Sequence, residues 1–322
     1  MRYIRLLLIL SVAVVALVRC QLAEFLPAES SPVPATPISI PTISPGDGSD
    51  LLDHLLESGE IRVGVRVWPE ADFSPPVFRD VAYTEAGGAL TGFEVEIARL
   101  VAAGLGLDLT LIEADPRRLA AGDWTDEWDI AIASLTPVDQ PLPNTAAQSM
   151  VYSNPYAFIP IGLLVPKSED AINDLSQLSG KKVGALEDSI HQRLLTPAGA
   201  SLTVQQQPFM LPLPADIQPV NLSNLQKSIR QMGQSQAGGS QLDAILGPSP
   251  MFEQAVDQDL AVQLALRRVG MQPLSIAAVP RDDLTVTRLM GEINKIVARL
   301  QEQGVLAEIY QRWYGQDLSR VR

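Results

Sequence analysis

The feature that most constrains the fold is an alternation of strand patterns and helix patterns along the chain. Apolar residues alternate with polar or small ones over residues 61–67, as in a strand with one buried face. An amphipathic helix pattern begins after Gly92 and ends at Gly104, and apolar strand patterns follow over 107–112 and 129–133. Strand, helix and strand in this order predict βαβ units and a parallel sheet.

The same alternation occurs a second time with different residues. Residues 182–186 and 242–246 have the composition of short buried strands, and residues 189–195 that of a helix. A helix is expected over residues 223–233, with its first serine as the cap and its glycine as the stop. The pair Ser249-Pro250 is expected to open another helix, with the serine as its cap. The sequence therefore predicts two small α/β units.

Further stretches connect or complete these units. Residues 156–165 are long, apolar and nearly uncharged, which predicts a strand that crosses from one unit to the other. Apolar residues from 286 to 300 line one helix face that ends at Gly304, and a second helix is predicted over 305–314. Residues 201–221 are rich in Gln and Pro and fit no element, so we expect a loop or insertion there.

The first twenty residues predict an export signal. Arg2 and Arg5 precede an apolar run over 6–18, which is shorter than the about 20 residues that a membrane-spanning helix needs. The run resembles the signal of a bacterial lipoprotein, in which the cysteine is lipidated and becomes the mature N-terminus. Arg19 departs from that pattern, since a small residue is usual before the cysteine. Lipidation of Cys20 and a cleaved or retained signal therefore stay open as alternatives.

Residues 21–48 form a proline-rich linker. Prolines spaced among Ser, Ala and Thr favour extended polyproline geometry and act as a semi-rigid spacer. At about 3.1 Å per residue, the linker spans up to roughly 80 Å. We therefore expect a folded part that is tethered to the outer face of the cytoplasmic membrane, or a periplasmic protein, with no later segment apolar enough to span a bilayer.

Composition argues against several classes of function. The formal net charge of −13 repels phosphate backbones, so we expect no nucleic-acid partner. Cys20 is the single cysteine, which leaves no internal disulfide. The two histidines, His54 and His191, offer little for a zinc site, and His191 is expected at the surface. No nucleotide-binding motif occurs, and we expect no metal and no cofactor.

A series of short strings runs in order from about residue 59 to residue 316. They are GEIRVGV (59–65), GFEVEIA (92–98), WDIAIA (128–133), YSNPY (152–156), LSGKKVG (178–184), LDAI (242–245), GVLAEIY (304–310) and WYG (313–315). Together they resemble family 3 extracellular solute-binding proteins, the amino-acid-binding receptors of ABC importers.

The resemblance implies an α/β fold of the periplasmic-binding-protein type II kind. Two lobes, each a mainly parallel sheet flanked by helices, would be joined by two hinge strands, with a small-molecule ligand bound in the cleft between them. The first lobe would comprise residues 49–158 plus 268–322, including the C-terminal helices, and the second would comprise 163–265. The implied function is capture of a small polar solute, amino-acid-like or cationic, for an ABC importer. The partners would be permease subunits and the membrane anchor, and we expect a monomer and no enzymatic activity.

The site departs from the family pattern at three places. Family members place an Arg after the strand that corresponds to 129–133 to clamp the ligand carboxylate, and residues 136–141 contain none. An Asp that takes the ligand ammonium is replaced by Gly247-Pro248. The family's Gly-Ser or Gly-Thr pair appears as Asp188-Ser189. The fold therefore transfers from the resemblance, and the identity of the ligand does not.

Four candidate ligand contacts come from the first half of the chain. Ser134 and Thr136 match positions where the family uses hydroxyl and backbone groups, although turn chemistry would also explain them. Phe73 lies where an aromatic ring usually stacks on the ligand, and Trp68 has a similar position; either could instead be a core residue.

Three further candidates carry a carboxylate or a hydroxyl. Asp188 and Ser189 precede a helix, where they would either bind the ligand or cap free N–H groups. Asp139 would place an anion near the missing clamp and, with Asp188, hints at a cationic ligand. Glu94 and Glu96 lie at a helix start, where carboxylates favour the helix dipole, so we expect them to be structural.

Two other functions stay open. The missing Arg and the unusual stretch at 201–221 are compatible with a sensory or accessory module whose ligand site is degenerate. Cyclohexadienyl dehydratases also resemble this family, and an enzyme of that kind would need a poised acid or base in the cleft.

Overall fold

The structure of the protein, a computed structural model, describes residues 43–66, 83–84, 89–125, 127–139, 150–167, 172–197, 199, 202–234, 242–258, 260–281 and 283–321. The chain divides into two compact units, Met1–Ser39 and Ile40–Arg322. All described residues belong to the second unit.

The elements follow the predicted alternation of strands and helices. The first part contains α1 (Leu51–Ser58), β1 (Glu60–Val65), β2 (Tyr83–Thr84), β3 (Leu90–Thr91), α2 (Phe93–Leu105), β4 (Asp108–Glu113), α3 (Pro116–Ala121), β5 (Ile130–Ile132) and β6 (Val151–Tyr152). The middle part contains β7 (Ala157–Pro166), a 3₁₀ helix (Leu175–Leu178), β8 (Lys182–Leu186), α4 (Ile190–Leu194), β9 (Thr203–Val204), β10 (Gln207–Pro208), β11 (Gln218–Leu222), α5 (Leu225–Gln234), β12 (Ala244–Pro248), α6 (Ser249–Asp257) and β13 (Val262–Leu274). The last part contains β14 (Ala277–Ala278), α7 (Thr287–Glu302) and α8 (Val305–Tyr314).

Two five-stranded sheets organise these elements into two lobes. The first lobe has the strand order β4-β1-β5-β14-β6, and the second lobe has the order β11-β8-β12-β7-β13. In each sheet, four strands run in one direction and the fifth, β14 or β7, runs against its neighbours. The predicted α/β fold with two mainly parallel sheets is therefore confirmed.

Strands β7 and β13 connect the two lobes. β7 follows β6 of the first sheet and enters the second sheet, and β13 pairs antiparallel along it before the chain returns to β14. Ile161, Leu163 and Val165 of β7 contact one apolar cluster of the second lobe, whereas Leu164 contacts the cluster on the opposite face. Both faces of β7 are covered, which explains the uninterrupted apolar sequence that predicted a crossing strand.

The C-terminal helices return to the first lobe, as the resemblance implied. α7 packs against α1 and α2, and α8 packs against α2. In α7, the apolar face that spacing predicted is buried, including Leu289, Ile293 and Val297.

The carboxylate of Asp50 joins the first helix of the described region to this C-terminal pair. It caps α1 by accepting a hydrogen bond from Leu52 N (3.1 Å), and it also accepts from Arg288 N (2.9 Å) and Leu289 N (3.1 Å) at the start of α7. The hydroxyl of Thr285 donates a further bond of 2.7 Å. Asp50 is only 1% exposed, so a single buried carboxylate satisfies free N–H groups of two helices.

Gly64 allows β1 to approach the indole ring of Trp128. A Cβ atom on Gly64 would lie 2.6 Å from Trp128 Nε1, which is far inside van der Waals contact. Trp128 is fully buried and stacks on Trp124, with 5.8 Å between ring centroids. The close packing of this sheet face therefore depends on the missing side chain.

Residues 201–221, where a loop or insertion was expected, contain regular structure. β9 and β10 form a short antiparallel hairpin, and β11 is an edge strand of the second sheet, paired in parallel with β8. β11 is largely exposed, so its sequence lacks the apolar alternation that identifies a half-buried strand.

Three helices have boundaries that differ from the sequence predictions. α2 continues through Gly104 and ends at Gly106, whose φ of 74° is the left-handed conformation of a helix stop. α5 was expected to have Ser223 as its cap and Gly233 as its stop. Instead, the side chain of Asn224 accepts a hydrogen bond from Lys227 N, and the helix continues through Gly233.

The third difference concerns the helix that Ser249 was expected to cap. Pro248 occupies the cap position of α6, and Ser249 is the first helical residue. The Ser249 hydroxyl instead donates to the carbonyl oxygen of Arg267 on β13. The serine therefore joins the helix to the neighbouring strand and leaves the helix end uncapped by a side chain.

Candidate functional site

Polar side chains follow strands of both sheets at the points where these strands end. β1 is followed by Arg66, β5 by Ser134 after Ala133, and β8 by Asp188 after Glu187. Ligands of open α/β sheets bind at the carboxyl ends of parallel strands. We call the region around Arg66, Ser134 and Asp188 the cleft, and it is the candidate site.

Arg66 brings positive charge into the cleft. Its side chain is half-buried, and burial lowers the pKa of the guanidinium, while the negative charges of Glu94 and Asp188 act to raise it. Glu94 belongs to the first lobe and Asp188 to the second. A cation of one lobe therefore interacts with carboxylates that both lobes contribute.

Glu94 holds the start of the loop that follows β5. Its carboxylate is completely buried and accepts hydrogen bonds from the Ser134 N–H, from the Ser134 hydroxyl (2.9 Å) and from the Tyr156 hydroxyl (3.0 Å). Burial raises the pKa of Tyr156 well above its usual value, and the charge of Glu94 adds to this effect. Ser134 has a positive φ of 54°, an uncommon conformation for a residue with a side chain. The structural role expected of Glu94 thus includes fixing the position of a candidate ligand contact.

Thr136 lies beside the second hinge strand. Its hydroxyl accepts a hydrogen bond of 2.9 Å from the side-chain amide of Gln272 on β13, and the same amide lies 3.4 Å from the Ser134 carbonyl. The carbonyl oxygen of Leu135 accepts from Ser275 N at 2.8 Å. The loop after β5 therefore runs along the hinge, and the role of Thr136 as a ligand contact stays a prediction.

Asp139 is in contact with the β9–β10 hairpin of the second lobe. Its carboxylate accepts from the Thr203 hydroxyl (2.6 Å) and from Gln206 N (2.8 Å), and these bonds hold its pKa below the usual value. The Asp139 N–H donates to the Thr203 carbonyl at 2.9 Å. These contacts engage one carboxylate oxygen of Asp139, and its ligand role stays a prediction.

Asp188 and Ser189 form the turn between β8 and α4. Ser189 caps α4 by accepting from Gln192 N (3.2 Å), and its hydroxyl donates to the Leu186 carbonyl (2.6 Å). Asp188 is exposed and has a positive φ of 57°. Of the two candidates, Ser189 has the contacts of a helix cap, and the charge of Asp188 interacts with that of Arg66.

Two further groups lie near the boundary between the lobes. Burial raises the pKa of Tyr152 in β6 to about 12, against the opposing charge of Arg193 in α4 of the other lobe. His191, expected at the surface, is buried instead, and burial lowers its pKa to about 4. Its Nε2 has no hydrogen-bond partner within the described residues. Ile190 and Leu194 of the same helix are also buried, so this histidine lies on the helix face that packs against the lobe interior.

The candidates Trp68, Phe73 and Cys20 lie outside the described residues. Arg66 was missed by the sequence analysis, because the predicted strand ran through it to residue 67, whereas β1 ends at Val65. Helices within the described ranges lack the combination of length and apolar composition needed to cross a membrane. In the same part of the chain, no group of three or more His, Cys, Asp or Glu side chains is arranged to hold a metal ion.

Comparison with known proteins gives relatives that cover most of the chain. A probable amino-acid ABC transporter-binding protein of Haemophilus influenzae is 24% identical over 272 residues, which are 84% of this chain and 91% of that protein. The L-cystine-binding protein TcyJ of Escherichia coli (strain K12) is 24% identical over 277 residues, which are 84% of this chain and 88% of that protein.

Solved structures share the two-lobed fold. The amino acid ABC transporter substrate-binding protein AbpA from Streptococcus pneumoniae, bound to L-arginine, superposes with a TM-score of 0.58 at 20% identity, covering 84% of this chain and 100% of that one. The sequence profile of the bacterial extracellular solute-binding proteins, family 3, matches residues 70–316. This match spans most of the chain. The chain therefore belongs to the bacterial extracellular solute-binding proteins, family 3.

Proposed function

We propose that this protein captures a small zwitterionic, amino-acid-like solute between its two lobes, outside the cytoplasm, and delivers it to an ABC importer. The observation that carries the proposal is the electrostatic interaction of Arg66 in the first lobe with the carboxylate of Asp188 in the second. Relatives named as amino-acid ABC transporter-binding and L-cystine-binding proteins support the class of solute and the importer.

The chemistry of the two charges suits a zwitterion. The planar guanidinium of Arg66 matches a carboxylate, and the carboxylate of Asp188 matches an ammonium group. A solute with both groups would satisfy one charge of each lobe and thereby favour the closed arrangement of the lobes. A purely cationic solute would place its charge beside Arg66, which is unfavourable in a half-buried cleft.

The other candidate contacts complete this site in the proposal. The hydroxyl groups of Ser134, Thr136 and Ser189 would orient polar groups of the solute, and Phe73 and Trp68 would cover its side chain. The binding role is proposed in place of a catalytic one because the family and the curated relatives are named as binding proteins. Glu94, a carboxylate near the cleft, is already committed to Ser134 and Tyr156.

Lipidation of Cys20 would tether the protein to the outer face of the membrane near the permease subunits. This part of the proposal rests on the apolar run before Cys20 and on the linker over residues 21–48. The substitution Cys20→Ser is expected to move the protein from the membrane fraction to the soluble fraction without changing solute affinity. Retention of Cys20→Ser in the membrane fraction would indicate an uncleaved signal as the anchor.

A thermal-shift screen of the purified protein tests the proposed solute class. Amino acids, cystine, polyamines and organic acids are added separately, and a true solute at 100 times its Kd should stabilise the fold by about 2.7 kcal/mol. Arg66→Gln and Asp188→Asn should each abolish the shift. Arg117→Gln, a substitution of an exposed arginine in α3, is the matched control and should keep it.

A second candidate function is a sensory or accessory module that does not serve import. It is favoured by the contact between Asp139 and the β9–β10 hairpin. Asp139 lies in the loop where the family places its clamp arginine, and that loop here binds the hairpin instead. Absence of a thermal shift with every compound in the screen would support this second candidate over the first.

A further inference from the structure

The β9–β10 hairpin belongs to the second lobe. Leu202, directly before β9, is buried in the apolar cluster of that lobe, and its carbonyl accepts from Phe209 N at 2.8 Å. Gln205 and Gln206 form the turn with positive φ values of 50° and 64°. Two positive φ values in a two-residue turn match the twist of a hairpin, but they are uncommon for glutamine. Contacts from outside the hairpin must therefore hold this turn in place.

Those contacts come from Val138 and Asp139, which follow β5 of the first lobe. The Asp139 carboxylate accepts from the Thr203 hydroxyl and from Gln206 N, the second residue of the strained turn. Val138 forms an antiparallel bridge with Val204 and packs against the apolar cluster of the second lobe. We call this set of contacts, made by Val138 and Asp139 with Thr203, Val204 and Gln206, the clasp.

The other end of the same loop is fixed to the first lobe. Ser134 follows β5 and is held by the buried carboxylate of Glu94. Residues 135–138 separate this fixed point from Asp139, and a chain spans at most about 3.6 Å per residue. Rotation of one lobe away from the other changes the distance between Ser134 and Thr203, and so short a segment has little length with which to absorb that change. Among the described residues, the clasp therefore connects the lobes in addition to β7 and β13.

We propose that the clasp stabilises the closed arrangement of the lobes in the absence of solute, and that Asp139 is a positioning residue for solute capture. Asp139 acts through the hairpin and makes no contact with the solute in this proposal. The inference deepens the proposed function, on which it rests for its consequence in solute binding.

The expected effect of the clasp is a shift in the closed population. A protein that is already partly closed loses less free energy in closing around a solute, so its affinity is higher and its solute release is slower. Because the hydrogen bonds of Asp139 are exposed to solvent, we expect their loss to change the ratio of closed to open molecules about tenfold, equivalent to about 1.4 kcal/mol.

The test measures the distance between the lobes directly. Nitroxide labels are attached in the full-length chain, in a Cys20→Ser background, at Lys227→Cys in α5 of the second lobe and Lys295→Cys in α7 of the first. Both lysines are exposed. Pulsed electron-spin measurements without solute should give mainly the shorter distance for the parent protein. Asp139→Ala should shift the ratio towards the longer distance by about tenfold, and Thr203→Val, which removes one of the two carboxylate bonds, should shift it in the same direction by a smaller factor.

Two matched variants separate the clasp from general destabilisation. Asp216→Ala removes a carboxylate that accepts a hydroxyl bond of the same length, 2.6 Å from Ser179, but both of these residues lie in the second lobe, so the ratio should not change. Thr203→Ser keeps the hydroxyl and should give the same distribution of distances between the lobes as the parent protein. Thr203→Val provides the result if Asp139→Ala does not fold.

The proposal is overturned if the parent protein and Thr203→Val give the same distance distribution. It is also overturned if Asp216→Ala opens the lobes as much as Asp139→Ala does. The distance measurement uses no solute, so its result does not depend on the thermal-shift screen. If no compound in the screen stabilised the protein, the proposed solute class would be refuted. A change of the distance distribution in Asp139→Ala would still support the clasp.

Discussion

Replacing Glu94 with glutamine changes one buried charge and leaves the shape of the side chain nearly the same. The oxygen that accepts from Ser134 N, the Ser134 hydroxyl and the Tyr156 hydroxyl is kept, but it becomes neutral. Hydrogen bonds to a charged group contribute about 1.5–3 kcal/mol, against about 0.5–1.5 kcal/mol between neutral groups. A difference of about 1 kcal/mol at each of these bonds predicts a loss of roughly 3 kcal/mol in the free energy of unfolding.

Urea unfolding at pH 7, followed by circular dichroism and extrapolated to water, measures this loss. Glu96→Gln is the matched control, because Glu96 lies on the same helix and accepts from Arg312 (2.9 Å) and Trp313 (2.8 Å) nearer the surface. A partly exposed pair of this kind should cost less than about 1 kcal/mol. Combining Glu94→Gln with Tyr156→Phe should give a loss smaller than the sum of the two single losses, since the two residues share one bond.

Equal losses for Glu94→Gln and Glu96→Gln would refute the reasoning, because the buried carboxylate would then contribute no more than a surface one. Additive losses in the Tyr156→Phe combination would refute the direct bond. If Ser134 contacts the solute as proposed, Glu94→Gln should also weaken solute binding, since Ser134 would lose the group that holds its positive φ.

The remaining predictions concern the fold on either side of the cleft. Asp50→Ala should lower the free energy of unfolding by about 3 kcal/mol, because two helix caps and the Thr285 bond are lost together, and urea unfolding measures it. Burial alone would raise the pKa of Asp50, but hydrogen bonds to the carboxylate outweigh burial and lower the pKa, so its contribution should be lost as pH falls through that lowered value. Burial lowers the pKa of His191 to about 4, so protonation favours the unfolded chain as pH falls from 6.5 to 4, at a cost of up to roughly 3 kcal/mol of stability. Urea unfolding of His191→Leu should lack this part of the pH dependence. Gly64→Ala should lower the melting temperature, since the added methyl group meets the buried Trp128 ring at a cost of about 1–3 kcal/mol.

Each of these predictions has a contrary result. An Asp50→Ala variant as stable as the parent would show that the caps of α1 and α7 contribute little to the free energy of unfolding. Unchanged acid sensitivity in His191→Leu would assign the loss to other groups. A Gly64→Ala variant with the parent melting temperature would mean that the Trp128 ring moves without cost.

The sequence predicted elements well where local signals agree with burial. α8 has the predicted bounds because a glycine stands directly before it and another directly after it. β8 has the predicted bounds because it is a short apolar run in the core. β11 was missed because an edge strand with polar side chains has no apolar alternation. The β9–β10 hairpin was missed because its turn is Gln-Gln, and the usual turn residues are Gly, Asn and Asp.

The site was harder to predict because its contacts join residues that are distant in sequence. Asp139 with Thr203 and Glu94 with Tyr156 are pairs that no local pattern relates, and a single sequence holds no information on such pairings. Arg66 was missed for a local reason: the alternation predicted a strand through residue 67, whereas β1 ends at Val65 and so places Arg66 at a strand end, where ligands bind. The lobe boundaries and the ligand contacts stay predictions.

The antiparallel strand β14 determines the order in which the two lobes can be completed. The sheet of the second lobe is made from one continuous stretch, from Ala157 to Leu274, so it is complete once that stretch has emerged. The sheet of the first lobe needs Ala277 and Ala278 between β5 and β6, and its helical layer needs α7 and α8. A chain that crosses a membrane from its N-terminus therefore delivers the first lobe's strands early and must leave them incomplete until the last 46 residues arrive. The lobe nearest the N-terminus is thus the last to fold, and a chain cut short after β13 would keep a complete second sheet beside an unfinished first one.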